Sequence, residues 1–292
     1  MMGYKVFVLV VVAGVCLLLM FFHGQAQRML DSYRPATEVP SFALPYDWAG
    51  NICQTPIAEP SGITYHTVRN TIFVVSDEGE LHEMRRDGRP VRSQSLKQTD
   101  LEGITMNPST GLLYAIVEGD DAILEISPKT FEITRKFGIN RGFEGRELLK
   151  KGGMGLEAIT FVADDSHPEG GTFWVGNQSF SLKPDREPSI ICQVVVSLSS
   201  NDPTPPEGKI ISFFPLSIID ISGLDFDSSR HCLVVVSDTT NLLVEVTRDG
   251  TVMRQHLLPG NDQEGIALDQ EGFMYIAQEN GEVIKIEDRR VQ

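Results

Sequence analysis

One phrase occurs five times in this chain, and its regular spacing constrains the fold more than any other feature. Each copy has a Glu-Gly-Ile or similar step, then a turn, then an apolar strand that ends in Asp, Glu or Asn. The small residue of the step is Gly62, Gly103, Ala158, Gly223 or Gly265. Between that residue and the terminal acid or amide the copies span 14 to 19 residues. Such copies indicate a fold built from repeated supersecondary units.

Two further strands follow most copies. The third strand alternates, as in Glu80–Met84, and the fourth follows an Asp-Gly or similar turn, as in Arg86–Ser95. Four short antiparallel strands, repeated, are typical of a β-propeller blade. We therefore predict an all-β fold, a β-propeller of five four-stranded blades. Six blades are the alternative, which would need about forty more residues.

The ends of the repeat region predict how the ring closes. The fifth copy stops near Glu287 after its third strand, whereas Ser41–Asp47 precedes the first copy and belongs to no blade. If Ser41–Asp47 completes the last blade as its outer strand, no lone edge is left exposed. The segment 141–155 is predicted to cross between blades two and three with a helical turn.

The N-terminus carries an uninterrupted apolar run, Val6–Phe22, preceded by Lys5. As a helix it would be roughly 26 Å long, close to the hydrocarbon thickness of a bilayer. It is either a transmembrane anchor or a signal peptide cleaved near Ala26. In both cases the domain that follows is exported. The predicted domains are residues 1–26 as signal anchor or signal peptide, 27–40 as linker and 41–292 as propeller.

Charge and cysteine content exclude some partners. The net charge of −15 argues against nucleic acid and against anionic membrane surfaces, so contact with the membrane is expected only through residues 6–22. Cys53, Cys192 and Cys232 lack the CxxC spacing of a zinc site. Either Cys192 and Cys232 form a disulfide, or all three are small buried thiols.

Two rings of side chains are predicted around the propeller axis, because equivalent positions of the inner strands face the central channel. Carboxylates gathered there repel one another unless a proton, water or a cation separates them. Ligands that are all oxygen favour a hard ion such as Ca²⁺. The first ring consists of Ser61 and Ser222 and the predicted metal ligands Glu102, Glu157 and Glu264. The second ring adds the predicted ligands Asp77, Glu118, Asn177, Asp238 and Glu279.

The alternative is that these acids are solvated turn residues. Asp100, Asp220 and Asp262, three residues before each Gly, are predicted to form turns and nothing more. The sequence contains no GxSxG, HExxH or P-loop motif, and it identifies no catalytic residue.

The steps Asp100–Thr105, Gly155–Thr160 and Asp262–Ala267, together with Ser222–Phe226 and the N-terminal anchor, resemble the SdiA-regulated (YjiK-like) family of bacterial envelope proteins. The resemblance covers about residues 40–288. It implies a β-propeller that faces the periplasm from the inner membrane, with calcium-related roles in some members. The Glu-Gly-Ile phrase is also similar to that of phytase-like esterase propellers and, more distantly, of calcium-dependent lactonase propellers.

Two classes of function follow from these features. The first is a membrane-anchored periplasmic binding module for calcium or for a protein partner in the cell envelope; after signal cleavage the module would be soluble in the periplasm. The second is a metal-dependent hydrolase of esters, lactones or phosphoesters, in which a channel-bound cation polarises the scissile bond. The Ser residues at two positions of the first ring depart from the lactonase pattern.

Overall fold

The computed structural model describes residues 40–98, 100–149, 155–180, 188–200, 202 and 205–288. These residues belong to one compact unit and form 23 β-strands. Among them no helix is long or apolar enough to cross a membrane. The predicted anchor, Val6–Phe22, and the linker up to residue 39 lie outside the described residues.

The first twelve strands are β1 (Ser41–Ala43), β2 (Tyr46–Asn51), β3 (Pro60–His66), β4 (Thr71–Ser76), β5 (Glu80–Arg85), β6 (Pro90–Ser95), β7 (Leu101–Met106), β8 (Leu113–Val117), β9 (Ala122–Ile126), β10 (Ile133–Asn140), β11 (Gly142–Phe143) and β12 (Arg146–Glu147). The others are β13 (Leu156–Ala163), β14 (Gly171–Asn177), β15 (Ile190–Val195), β16 (Gly208–Pro215), β17 (Ile221–Asp227), β18 (Cys232–Ser237), β19 (Leu242–Val246), β20 (Val252–Leu257), β21 (Gln263–Leu268), β22 (Phe273–Gln278) and β23 (Val283–Asp288).

The strands pair antiparallel in sequence order, as the repeat predicts. One sheet contains β3 to β6, another β21 to β23 with β2, and a third β17 to β20 with β1. The sheets β7 to β10 and β13 to β16 are joined into eight strands by a short parallel contact between β10 and β16. The second strand of each unit is apolar and buried, whereas outer strands such as β6 are largely exposed.

Apolar clusters fill the space between neighbouring sheets. Phe73 of β4 belongs to a cluster with Leu101 of β7. On the other face of the same strand, Ile72 belongs to a cluster with Tyr275 of β22. The first sheet therefore packs on the second and also on the last, so the sheets surround a common axis. This all-β arrangement is a β-propeller.

Three local features differ from the sequence expectations. The strand beside β23 is β2, Tyr46–Asn51, rather than Ser41–Asp47, and Ser41–Ala43 pairs with β20 instead. Residues 142–147 form a small hairpin rather than a helical turn, because Glu144 and Gly145 both adopt positive φ.

No disulfide joins Cys192 and Cys232 in the part of the chain that the structure describes, so the predicted disulfide is wrong. Cys192 lies in the apolar layer between the second and third units, and Cys232 lies in the layer between the fourth and fifth. Burial raises the pKa of the Cys192 thiol to about 12. Both buried thiols therefore act as small apolar core residues.

Candidate functional site

Each inner strand carries a β-bulge at the same repeat position. The register of the inner strand against the second strand shifts there in all five units. A bulge leaves its extra residue outside the ladder and turns that side chain away from the sheet. The residues that lie at these register shifts include all five residues of the predicted first ring: Ser61, Glu102, Glu157, Ser222 and Glu264.

The small residue after the bulge lets the inner strands touch at the axis. A Cβ added to Gly103 would lie 2.8 Å from the backbone nitrogen of Ile159, and one added to Gly223 would lie 3.0 Å from Cα of Gly265. Gly265 faces Gly62 equally closely, with a 3.0 Å approach to its Cα. The glycines of the repeated step are thus structural, since their missing side chains allow neighbouring backbones to approach.

The two serines of the first ring connect neighbouring inner strands. The Ser61 hydroxyl donates a hydrogen bond to the carbonyl of Leu101. The Ser222 hydroxyl donates to the carbonyl of Gln263 over 2.5 Å. Both serines are buried. These positions therefore stabilise contacts between units, which explains why they are not acidic.

The three glutamates of the first ring form a cluster, here called the axial carboxyl cluster: Glu102, Glu157 and Glu264. Burial, and then the negative charges of Asp77 and Glu118, raise the pKa of Glu102 to about 8. Burial and the charges of Glu102 and Glu118 raise the pKa of Glu157 to about 11. Burial and the charge of Asp238 raise the pKa of Glu264 to about 8. At neutral pH these groups therefore favour the protonated form.

Two carboxyl groups of the cluster, those of Glu102 and Glu157, are close enough to share a proton. Glu157 lies within hydrogen-bonding range of the carboxyl groups of Glu102 and Glu118. A protonated carboxyl can donate to a neighbouring carboxylate, which relieves the repulsion that several charges in one place would cause. A bound cation would relieve the same repulsion by replacing these protons.

The second predicted ring is held by a repeated backbone hydrogen bond. The amide that follows each second strand donates to the carbonyl two residues before the bulge, over 2.9–3.1 Å. In four units that carbonyl belongs to a residue with positive φ, namely Glu59, Asp100, Asp220 or Asp262. The prediction that Asp100, Asp220 and Asp262 form turns and nothing more is wrong for Asp220, whose carboxylate also accepts hydrogen bonds from Gln178 and Thr239. The second-ring residues at the amide are Asp77, Glu118, Asp238 and Glu279.

Asn177 does not belong to this second ring. The third unit places Gln178 at the equivalent position, where its amide donates to the Gly155 carbonyl over 3.1 Å. Asn177 is one residue earlier, buried, and accepts a 2.7 Å hydrogen bond from the amide of Ile190. The longer turn of the third repeat displaces the sequence alignment by one residue.

The donor chemistry of the rings fits a hard cation, because every charged group there is a carboxylate. Within the described part of the chain, however, no group of three or more His, Cys, Asp or Glu side chains is arranged to hold a metal ion. Calcium binding stays a prediction.

A deep pocket that the sequence did not reveal opens further along the inner strands. Its cavity volume is about 710 Å³. The inner strands contribute Thr64, Thr105, Thr160 and Asp225, each three residues after a first-ring residue. Three strand residues span roughly 10 Å, so the pocket lies towards the opposite end of the inner strands from the axial carboxyl cluster.

Asp225 is the only acid among these four inner-strand positions of the pocket. Its carboxylate accepts hydrogen bonds of 2.8 Å from the amides of Phe226 and Leu268, and one of 3.3 Å from the Thr160 hydroxyl. Burial nevertheless raises its pKa to about 6. The sequence marks Asp225 in one way only. The fourth copy has Leu-Asp after its glycine, where the first three copies have Ile-Thr after the small residue.

The SdiA-regulated family matches residues 49–282. The chain belongs to the SdiA-regulated family. The resemblance predicted from the repeated steps is therefore confirmed, and no curated protein sequence matches the chain.

The fold of this SdiA-regulated protein is shared by a solved structure of low sequence identity. The glutaminyl cyclase of Myxococcus xanthus is similar with a TM-score of 0.56 and 11% identity, over 85% of this chain and 97% of that one. A Myceliophteria thermophila Cps50 (Swd1) β-propeller domain has a TM-score of 0.47 at 10% identity, over 82% and 99% of the two chains. A streptogramin B lyase has a TM-score of 0.47 at 13% identity, over 83% and 98%.

Proposed function

We propose that this protein is a binding module of the cell envelope and that its axial carboxyl cluster takes up a divalent cation, Ca²⁺. The observation that carries the proposal is the convergence of three half-buried glutamates on one axis, with second-ring carboxylates beside them. The cation would be held by Glu102, Glu157 and Glu264, supported by Asp77, Glu118, Asp238 and Glu279. A protein of the envelope is the second partner in this proposal.

The same proposal gives the module five blades, with β2 as the outer strand of the last. It anchors the module through residues 6–22 in the inner membrane and places the propeller in the periplasm. Lys5 before the apolar run and the large acidic domain after it support this orientation. Protease added to spheroplasts should digest the propeller; protection of the propeller would place it in the cytoplasm.

Glu102 and Glu264 are the residues to change in a test of cation binding. Calcium that binds only the folded protein at a hundredfold excess over its Kd stabilises it by about 2.7 kcal/mol. That corresponds to a rise in melting temperature of roughly 5–10 °C. We expect Glu102→Gln with Glu264→Gln to abolish the rise. In chelator the double variant should melt at least as high as the parent, because a neutral glutamine replaces each buried carboxyl group whose charged form burial and the neighbouring carboxylates disfavour.

Two exposed glutamates provide the matched control. Glu132→Gln with Glu207→Gln makes the same kind of substitution at two exposed positions, far from the cluster in sequence, and should keep the full calcium response. A flat calorimetric titration of the parent with calcium would refute the cation site. Calcium-dependent turnover of an ester, lactone or phosphoester, lost in the cluster variant, would instead favour the hydrolase alternative.

A further inference from the structure

We propose that the pocket around Asp225 binds a small organic molecule through a protonated primary amine. This site is separate from the axial carboxyl cluster and does not depend on calcium binding there. The proposal rests on the cavity, on the bonding state of its acidic side chains, and on the character of its walls.

The cavity is large enough for a metabolite-sized ligand. Its volume of about 710 Å³ lies in the range of small-molecule pockets, roughly 300–1,000 Å³. Five aspartates and two arginines line it, so its potential favours a positively charged ligand.

Most of these aspartates already have partners. Asp227 and Asp288 lie 2.5 Å and 4.0 Å from the guanidinium of Arg230. Asp269 is paired with Arg86 over 2.5 Å. Each of these three carboxylates therefore already faces an arginine of the protein.

Asp225 differs because its bonds come from uncharged groups. Its three hydrogen-bond donors are two backbone amides and a hydroxyl, and no lysine, arginine or histidine in the described parts of the chain bonds to it. The raised pKa reflects a carboxyl group that burial penalises and that no positive charge compensates. A ligand ammonium would supply that charge and a strong charge-assisted hydrogen bond.

The pocket walls favour an organic cation over a metal ion. The half-buried rings of Tyr65, Phe226 and Phe273 line the pocket, and Met106 at the end of β7 lines it too. Aromatic walls contact the apolar body of an organic ligand. A metal ion would require several converging ligands, but three of the five aspartates at this pocket already face arginines.

The test uses the full chain purified in detergent and two pairs of probes. Tyramine is compared with 4-ethylphenol, and cadaverine with 1,5-pentanediol, so that each pair differs in its amino groups. Calorimetric titrations into empty micelles are subtracted. We expect at least one amine to bind the parent at least tenfold more tightly than its neutral counterpart. If neither amine binds better than its counterpart, the proposal is overturned, whether or not any variant folds.

The variant Asp225→Asn then tests whether the amine binds at Asp225. It should weaken amine binding at least tenfold, whereas Asp164→Asn, which removes an equal charge from the exposed pocket rim, should change it less than twofold. An equal loss in both variants would mean attraction by net charge alone and would overturn the role of Asp225. A calcium response retained by Asp225→Asn would show that the two sites are independent, as the proposal requires. Its loss would contradict that separation.

Discussion

Single residues at the axis decide how closely the inner strands approach, and Gly103 offers the clearest test. A methyl group at Gly103 would meet backbone atoms of β13, including Ile159 nitrogen at 2.8 Å, and backbone cannot rotate away as a side chain can. We expect Gly103→Ala to lower the free energy of unfolding by about 1–3 kcal/mol. Urea unfolding followed by tryptophan fluorescence measures the change.

Gly138 is the matched control for this substitution. It also lies in a strand, β10, but a Cβ there would make only an ordinary 3.6 Å contact with Glu207 Cγ. Gly138→Ala should therefore change stability by less than about 0.5 kcal/mol. Equal effects at the two glycines would mean that loss of glycine flexibility, and not the close approach of strands, sets the cost.

The repeat allowed the residues of the axial carboxyl cluster to be predicted, because equivalent positions of equivalent strands must face one axis. It did not reveal Asp225, since a single Asp among threonines has no repeated partner to mark it. It misplaced Asn177, because the third repeat contains a longer turn and sequence spacing alone does not tell where the extra residue lies.

Each third strand carries a buried or half-buried polar residue at one repeat position, and Glu125 of β9 illustrates its role. It bonds with Arg135, Thr134 and the hydroxyl of Tyr114. Burial alone would raise the pKa of Glu125, but the hydrogen bonds from Arg135, Thr134 and Tyr114 outweigh it and lower the pKa below 4.5. The equivalent residues in other units are Glu83, Gln193, Glu245 and Lys285.

Glu125→Gln should therefore lower stability in a pH-dependent way. A depressed pKa stabilises the fold above the unfolded value of 4.5, and this contribution is lost as pH falls through the folded pKa. We expect a loss of about 1.5–3 kcal/mol at pH 7.5. The difference between parent and variant should shrink below about pH 4.5. Urea unfolding between these pH values measures it.

Exposed Glu132, in the same hairpin, is the control for this experiment. Glu132→Gln should leave the unfolding free energy unchanged within about 0.5 kcal/mol at each pH. A Glu125→Gln deficit that stays constant down to pH 3.5 would show that its charge is not the stabilising feature.

The elements of the repeats were predictable because apolar periodicity and turn residues mark them, whereas the N-terminal strands were not. Pro45 divides the predicted Ser41–Asp47 strand, since proline has no amide hydrogen for a ladder. The following strand, β2, reads Tyr-Asp-Trp-Ala-Gly-Asn, which is poor in β-branched residues. Its place in the sheet is determined by the unpaired edge of β23 and not by its own propensity.

On the scale of the whole molecule, β2 joins the start of the described chain to its end. Its residues pair with β23 from Tyr46 to Asn51. A chain beginning at residue 52 should melt roughly 10 °C or more below one beginning at residue 40, because the ladder to β23 is lost as a unit. Differential scanning calorimetry measures the change.

A chain beginning at residue 46 separates the two N-terminal strands. It keeps β2 but lacks β1 and the buried Leu44, so its melting temperature should fall between the other two. If the chain beginning at residue 52 melted within 2 °C or so of the longest chain, β2 would not be needed to complete the last sheet.

At the axial bulges, the residues that determine strand pairing differ from those that face the axis. A residue outside the ladder does not specify which strands pair, so serine and glutamate occupy the same position in different units while the sheets stay alike. Relatives can therefore diverge at these five positions at little cost to assembly. We expect variation in what such proteins recognise at the axis to be concentrated there, while the neighbouring glycines stay the same.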